Sequence, residues 1–175
     1  GSSREIEDGA AGRLFRVTAD GTVSVYRTGI GISNTFCWSP DATRFYFGDT
    51  LANEIRVYDF DAATGLIANE RPYFAGFDRG SPDGSAMDSE GNLWNARYGG
   101  GCVVKVAPDG KVAGLIEMPC GNITTCTFGG PDLRAMFVPT AAGGAGPGRR
   151  LAGSLYAVDM EVPGLPENRF LLDAG

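Results

Sequence analysis

The sequence predicts an all-β fold of the propeller class, from a repeated strand–turn–strand segment, hairpin turns set between apolar strands, and a glycine-rich composition. Of 175 residues, 27 are glycine and 10 are proline. The glycine share is about twice the usual one and favours many tight turns over long helices. Three segments align: Trp38–Thr50, Met87–Arg97 and Phe128–Thr140. Each runs from an apolar strand end through a polar turn with a carboxylate into a β-rich strand. Asp41, Glu90 and Asp132 occupy the same turn position, at intervals of 49 and 42 residues.

A further strand follows each segment, at Glu54–Phe60, Gly101–Val106 and Gly153–Val158, and Gly12–Val17 is a fourth copy at the start. Asp20-Gly21 and Asp109-Gly110 then reverse the chain into Thr22–Tyr26 and Lys111–Ile116, and Asp-Gly between strands is a strong hairpin signal. Four antiparallel strands per 42–49 residues is the signature of a propeller blade. A sandwich would not need the same turn chemistry at this period. Residues 36–72, 83–119 and 124–162 are expected to form three complete blades, and residues 12–28 the outer half of another. About three and a half blades fall short of the roughly four to eight that close a propeller, and an open fan exposes unpaired edges. The chain, residues 1–175 of one propeller domain, is therefore expected to be a portion of a longer protein or to pair with a second copy as a homodimer.

Composition excludes several functions. The net charge is −6, and no basic cluster beyond Arg149-Arg150 offsets it, so nucleic acid is not an expected partner. No window approaches the roughly 20 apolar residues of a membrane span. Residues Gly1–Glu5 lack the apolar stretch of a signal peptide and read as an expression scar or a start within a domain. Cys37, Cys102, Cys120 and Cys126 form no CxxC pair. They are expected to be reduced thiols of a cytoplasmic protein, with a Cys120–Cys126 disulfide as the alternative. The chain has no histidine, which removes Ser-His-Asp and Cys-His catalysis and His-ligated metal sites.

The repeat points to a site. Four residues before the anchors Trp38, Met87 and Phe128 stand Asn34, Asp83 and Thr124. Each precedes an inner strand and is expected at the mouth of a central channel. Asn and Asp oxygens are hard ligands suited to Ca²⁺, Mg²⁺ or Mn²⁺; the alternative for both is turn chemistry, and for Thr124 a strand-start hydroxyl. Asp49 and Arg97-Tyr98 lie in loops on the same face, ahead of Gly99–Gly101. Arg97 either holds a substrate group or is a solvated loop arginine. Residues 141–151 read as a lid or a disordered loop. Asp41, Glu90 and Asp132 read as turn formers on the opposite face.

Several motifs carry a family resemblance across residues 5–142. Ile32–Asp41 resembles the stretch I-(S/T/P)-N-G-(L/P)-x-(W/V)-S-P-D, and Phe45–Asp49 resembles Y-Y-x-D. Pro82–Ser85 with Asp88–Trp94 is similar to P-D-G-(M/S)-x-x-D-x-E-G-x-L-W, and Thr124–Gly130 is similar to T-(S/K)-x-x-F-G-G. These belong to the senescence-marker protein / gluconolactonase / luciferin-regenerating enzyme (regucalcin-like) family. The resemblance implies a six-bladed propeller that hydrolyses sugar lactones to aldonic acids. It also implies one divalent cation (Ca²⁺, Zn²⁺, Mn²⁺, Mg²⁺ or Fe²⁺) held by Asn34 and Asp83, with Asp83 as general base. Arg97, Tyr98 and Thr124 are then substrate-side candidates, joined by Glu5, which corresponds to the Glu of the family's G-T-M-x-E-E stretch; the third metal ligand the resemblance implies, an N-terminal Glu, is expected ahead of residue 1. Thr35 replaces the family's glycine and is expected to narrow the pocket. Organophosphate hydrolysis and a calcium-binding, non-catalytic scaffold are the rival functions.

Overall fold

Strand-forming sequence in this chain comes in two patterns, and they assign each strand its place. Runs such as Phe45-Tyr46-Phe47 and Val103-Val104 are apolar without a break, as in strands buried on both faces. In Val112–Glu117 the burial instead alternates between exposed and half-buried from Ala113 on, as in a strand with one solvated face. A computed structural model describes residues 11–143 and 149–169. Strands β1 (Gly12–Val17) and β2 (Val23–Ile30) pair as a hairpin. β3 (Ser33–Trp38), β4 (Arg44–Asp49), β5 (Glu54–Asp61) and β6 (Leu66–Ala75) form a four-stranded antiparallel meander in chain order. So do β7 (Ser81–Met87), β8 (Leu93–Tyr98), β9 (Cys102–Val106) and β10 (Val112–Glu117). β11 (Thr127–Gly129), β12 (Ala135–Pro139) and β13 (Leu155–Asp159) form a three-stranded sheet. Among the described residues no helix is long and apolar enough to cross a membrane.

The third unit corrects the expectation of three complete four-stranded units: it has three strands among the described residues. After β13 the chain reads Met-Glu-Val-Pro-Gly-Leu-Pro, where two prolines and no alternation deny it a ladder. It crosses instead to the neighbouring sheet. Ser89 donates its N–H to Pro163 O at 2.9 Å, Leu165 donates to Met87 O at 3.2 Å, and Gly164 donates to Leu133 O at 2.9 Å. Residues 144–148 of the expected lid or disordered loop lie outside the described residues, and Arg149–Leu151 is a single 3-10 turn.

The sheets pack face to face. Leu14 and Ile30 meet Phe45, Phe47 and Tyr58 of the next sheet. The other face of that sheet, through Cys37, Tyr46, Ile55, Val57 and Phe74, meets Met87, Leu93, Val104 and Val106. Trp94, Ala96 and Val103 then meet Cys126, Phe128, Met136 and Val138. Neighbouring residues of one strand thus serve opposite interfaces, which is why Phe45-Tyr46-Phe47 of β4 and Cys102-Val103-Val104 of β9 are apolar without a break. Each large apolar side chain so buried contributes roughly 1.5–3 kcal/mol. All four cysteines are buried and unpaired, as reduced thiols.

The aligned turns share a backbone conformation. Ala42, Gly91 and Leu133 have φ of 52°, 83° and 56°, each one residue after Asp41, Glu90 or Asp132. Asp41 accepts from Thr43 N at 3.1 Å, and Asp132 from Arg134 N at 3.2 Å, as turn formers. In the second unit this role falls to Asp88 rather than Glu90. Asp88 is fully buried and accepts from Glu90 N (3.0 Å), Asn92 N (2.8 Å) and Trp94 Nε1 (2.9 Å).

Candidate metal centre

Both candidate cation ligands stand at irregularities of first strands. Along the β3–β4 ladder Asn34 pairs Gly48 and Phe36 pairs Phe47, leaving Thr35 as an extra residue with φ of 56°. Along β7–β8, Pro82 pairs Arg97 and Ser85 pairs Asn95, so Asp83 and Gly84 oppose a single residue. These are β-bulges, which re-aim side chains and recur beside functional sites.

Hydroxyl bridges join the two bulges. Asn34 Nδ2 donates to Thr50 Oγ1 at 2.8 Å, and Thr50 Oγ1 donates to Pro82 O at 2.7 Å. With the amide nitrogen so used, the Asn34 amide oxygen is the atom that can act as a ligand. Thr35 Oγ1 donates to Asp83 O at 2.8 Å and lies 2.8 Å from Ser85 Oγ. On the far side, Gly84 N donates to Thr124 O at 2.9 Å. Gly84 has no room for a side chain: a Cβ there would lie 2.1 Å from Thr125 Oγ1. Burial pushes the Asp83 carboxyl up to about 6, with the Gly84 N–H as the opposing stabilisation of its charged form.

This donor set fits a hard divalent cation. It offers a carboxamide oxygen of fixed orientation and a half-buried carboxylate, and a cation would relieve the cost of charging that carboxylate. Among the described residues no three His, Cys, Asp or Glu side chains gather, so these residues supply only part of a coordination sphere. Glu5 lies outside the described residues.

Arg97 is neither a solvated loop residue nor open to substrate. It stands in β8 and is 1% exposed. Its Nε donates to Arg79 O at 2.9 Å and Nη1 to Asn95 Oδ1 at 3.2 Å. Nη2 donates to Asn53 Oδ1 at 2.7 Å, Gly80 O at 2.6 Å and Phe77 O at 3.2 Å. The guanidinium carbon lies 5.2 Å from the Phe77 ring centroid. Desolvation pulls its pKa down to about 10, so it stays charged at neutral pH. Tyr98, at the end of β8, is 44% exposed. Thr124 lies three residues ahead of β11 and donates its hydroxyl to Pro139 O at 3.1 Å. Asp49 accepts from Gly31 N, Ile32 N and Leu51 N at 2.9–3.1 Å and so fixes the entry to β3.

Sequence reasoning missed Asn95, Ser85 and Thr50. Asn95 Nδ2 donates to Ser85 Oγ at 2.9 Å and to Asp83 O at 3.2 Å. The signal was one amide inside the apolar run Leu93-Trp94-Asn95-Ala96, a position where an unpartnered polar group is costly. A separate cleft of about 930 Å³ is lined by Phe36, Trp38, Met87, Phe128 and residues 165–169. It touches the polar network only at Ser85 and excludes Asn34 and Asp83, lying toward the other end of β3 and β7.

Residues 1–142 match the profile of the SMP-30/Gluconolactonase/LRE-like region. The chain is 42% identical over 171 residues to the pentonolactonase XacC of Haloferax volcanii, covering 93% of this chain and 59% of that protein. It is 36% identical over 162 residues to regucalcin of Sus scrofa, covering 89% and 54% respectively. The solved structure of regucalcin of Agrobacterium tumefaciens, described as a calcium-binding protein, superposes with a TM-score of 0.84 at 32% identity, over 97% of this chain and 58% of that one. The chain therefore spans little more than half the length of these relatives. It belongs to the SMP-30/gluconolactonase/LRE-like family.

Proposed function

We propose that these residues are part of a single six-bladed propeller, supplying about three and a half blades, that hydrolyses a sugar lactone at a divalent cation. One observation carries this: Asn34 and Asp83 stand on bulges of adjacent first strands, with the segment around Asp83 tied to β3 and β4 by two threonine hydroxyls. Asn34 and Asp83 would hold the cation with a ligand from outside the described residues. When bound, the cation supplies polarisation of the lactone carbonyl and a lowered pKa for water.

Asp83 is then the general base. A carboxylate raised to about 6 accepts a proton near neutral pH more readily than an ordinary one. Water loses its proton to Asp83, its oxygen bonds to the carbonyl carbon, the ring C–O bond breaks, and the ring oxygen takes that proton back from Asp83 and leaves as a hydroxyl of the aldonic acid. Tyr98 is the exposed candidate for contact with sugar hydroxyls. Arg97 is withdrawn from that role by its burial.

The test is turnover of a panel of glucono-, xylono- and arabinonolactone by the whole protein, with added Ca²⁺ or Mn²⁺ or with chelator. Cation-dependent acid release that is lost in Asp83→Ala supports the proposal. Cation binding without turnover of any lactone supports instead a non-catalytic calcium-binding scaffold, which the calcium-binding description of the Agrobacterium relative keeps in view. No binding and no turnover removes both.

A further inference from the structure

We infer that Thr35 is a positioning residue, which holds the Asp83–Gly84 peptide, and through it the Asp83 carboxylate, in place for the cation. The inference rests on the reading that Asn34 and Asp83 share one cation. Thr35 is 2% exposed and has φ of 56°, a left-handed conformation that a β-branched residue resists and glycine adopts freely. Backbone geometry therefore does not explain threonine here. Its hydroxyl does.

The hydroxyl has one proton, donated to Asp83 O at 2.8 Å. It must then accept from Ser85 Oγ, also at 2.8 Å. Ser85 in turn accepts from Asn95 Nδ2 at 2.9 Å, and Asn95 Oδ1 accepts from Arg97 Nη1 at 3.2 Å. Arginine has only donors, so it fixes the Asn95 amide, and the direction of every bond follows. The chain runs one way, from Arg97 through Asn95, Ser85 and Thr35 to the Asp83 carbonyl. The other end of the same peptide, Gly84 N–H, is held by Thr124 O at 2.9 Å. The peptide that carries the Asp83 side chain is thus clamped from both neighbouring sheets, and Thr35 is the clamp on the Asn34 side. The bulge that gives Thr35 its φ also sets Asn34, so one residue aligns both ligands.

Ca²⁺ titration calorimetry on the whole protein tests this, with thermal unfolding of the cation-free variants alongside. Thr35→Gly relieves the backbone and removes only the hydroxyl clamp. Its melting temperature should stay within a few degrees of wild type while its Ca²⁺ dissociation constant rises about tenfold, the scale of losing an outer-shell partner. Thr35→Ser keeps the donor and should bind within about twofold of wild type. If Asp83→Ala abolishes binding while Thr35→Gly binds as wild type, or if a folded Thr35→Ser binds as poorly as Thr35→Gly, Thr35 positions nothing and only this inference falls. If Asp83→Ala binds as wild type, or if wild type binds neither Ca²⁺ nor, in the same titration, Mn²⁺, the shared-cation reading falls and takes the inference with it.

Discussion

Replacing Arg97 with methionine separates a structural arginine from a substrate contact. The guanidinium is 1% exposed and serves the carbonyls of Arg79, Phe77 and Gly80 and the amide oxygens of Asn53 and Asn95. Methionine fills much of the volume but donates to none of them. A buried acceptor left without a donor costs about 1–3 kcal/mol, and water entering the vacated space recovers part of it for some of the five. The net expectation is about 3–5 kcal/mol, the range for removing one partner from a buried charged network. For a domain of this size that lowers Tm by roughly 6–20 °C. Differential scanning calorimetry measures Tm, and lactone kinetics on the same sample give kcat and KM. An unchanged Tm with a raised KM would refute the argument, because it would place Arg97 against substrate.

Asp83 gives a pH prediction for the cation-free protein. Its folded pKa of about 6 lies above the ordinary value of 3.8, so the stability linked to its protonated form is full below about pH 4 and is lost as pH rises through 6. The partly exposed carboxylate is screened by solvent, which leaves about 1–2 kcal/mol. Urea unfolding in chelator should show wild type losing that much relative to Asp83→Asn between pH 4 and pH 7, and parallel profiles would count against it. Asp88→Ala should cost about 2–4 kcal/mol, since it strands buried donors of Glu90, Asn92 and Trp94. A variant within about 0.5 kcal/mol of wild type in urea would mean that water replaces the carboxylate.

The sheets were legible because strand and turn signals are local. Asp20-Gly21 and Asp109-Gly110 marked hairpins that exist, with φ of 80° and 84° at the two glycines. Placement of Asn34 and Asp83 was legible because the repeat carries the same bulge position in two units. Arg97 was not, because its partners Asn53 and Phe77 lie 44 and 20 residues away. In sequence, Arg-Tyr-Gly-Gly-Gly looks like a loop, whereas Arg97 pairs Cys102 inside the sheet. Asp88 was overlooked because Glu90 aligns with Asp41. The turn is capped instead from the position of Ser39, whose hydroxyl accepts from Arg44 N at 3.0 Å.

The interface between the second and third sheets explains why the site lies where it does. On β8, Leu93, Asn95 and Arg97 fall two apart and share a face, and so do Ser85 and Met87 on β7 and Thr35 and Cys37 on β3. At one end of these strands Leu93, Met87 and Cys37 join the apolar cluster with Val104 and Val106. At the other, Thr35, Ser85, Asn95 and Arg97 form a bonded polar layer. Aliphatic side chains of similar size could extend the apolar cluster to that end, and such replacements are often neutral or stabilising. The polar layer is therefore not needed to hold the sheets together. Its bonds do what dispersion contacts cannot: they fix one orientation for the Asp83 peptide, at the end of the interface where Asn34 stands.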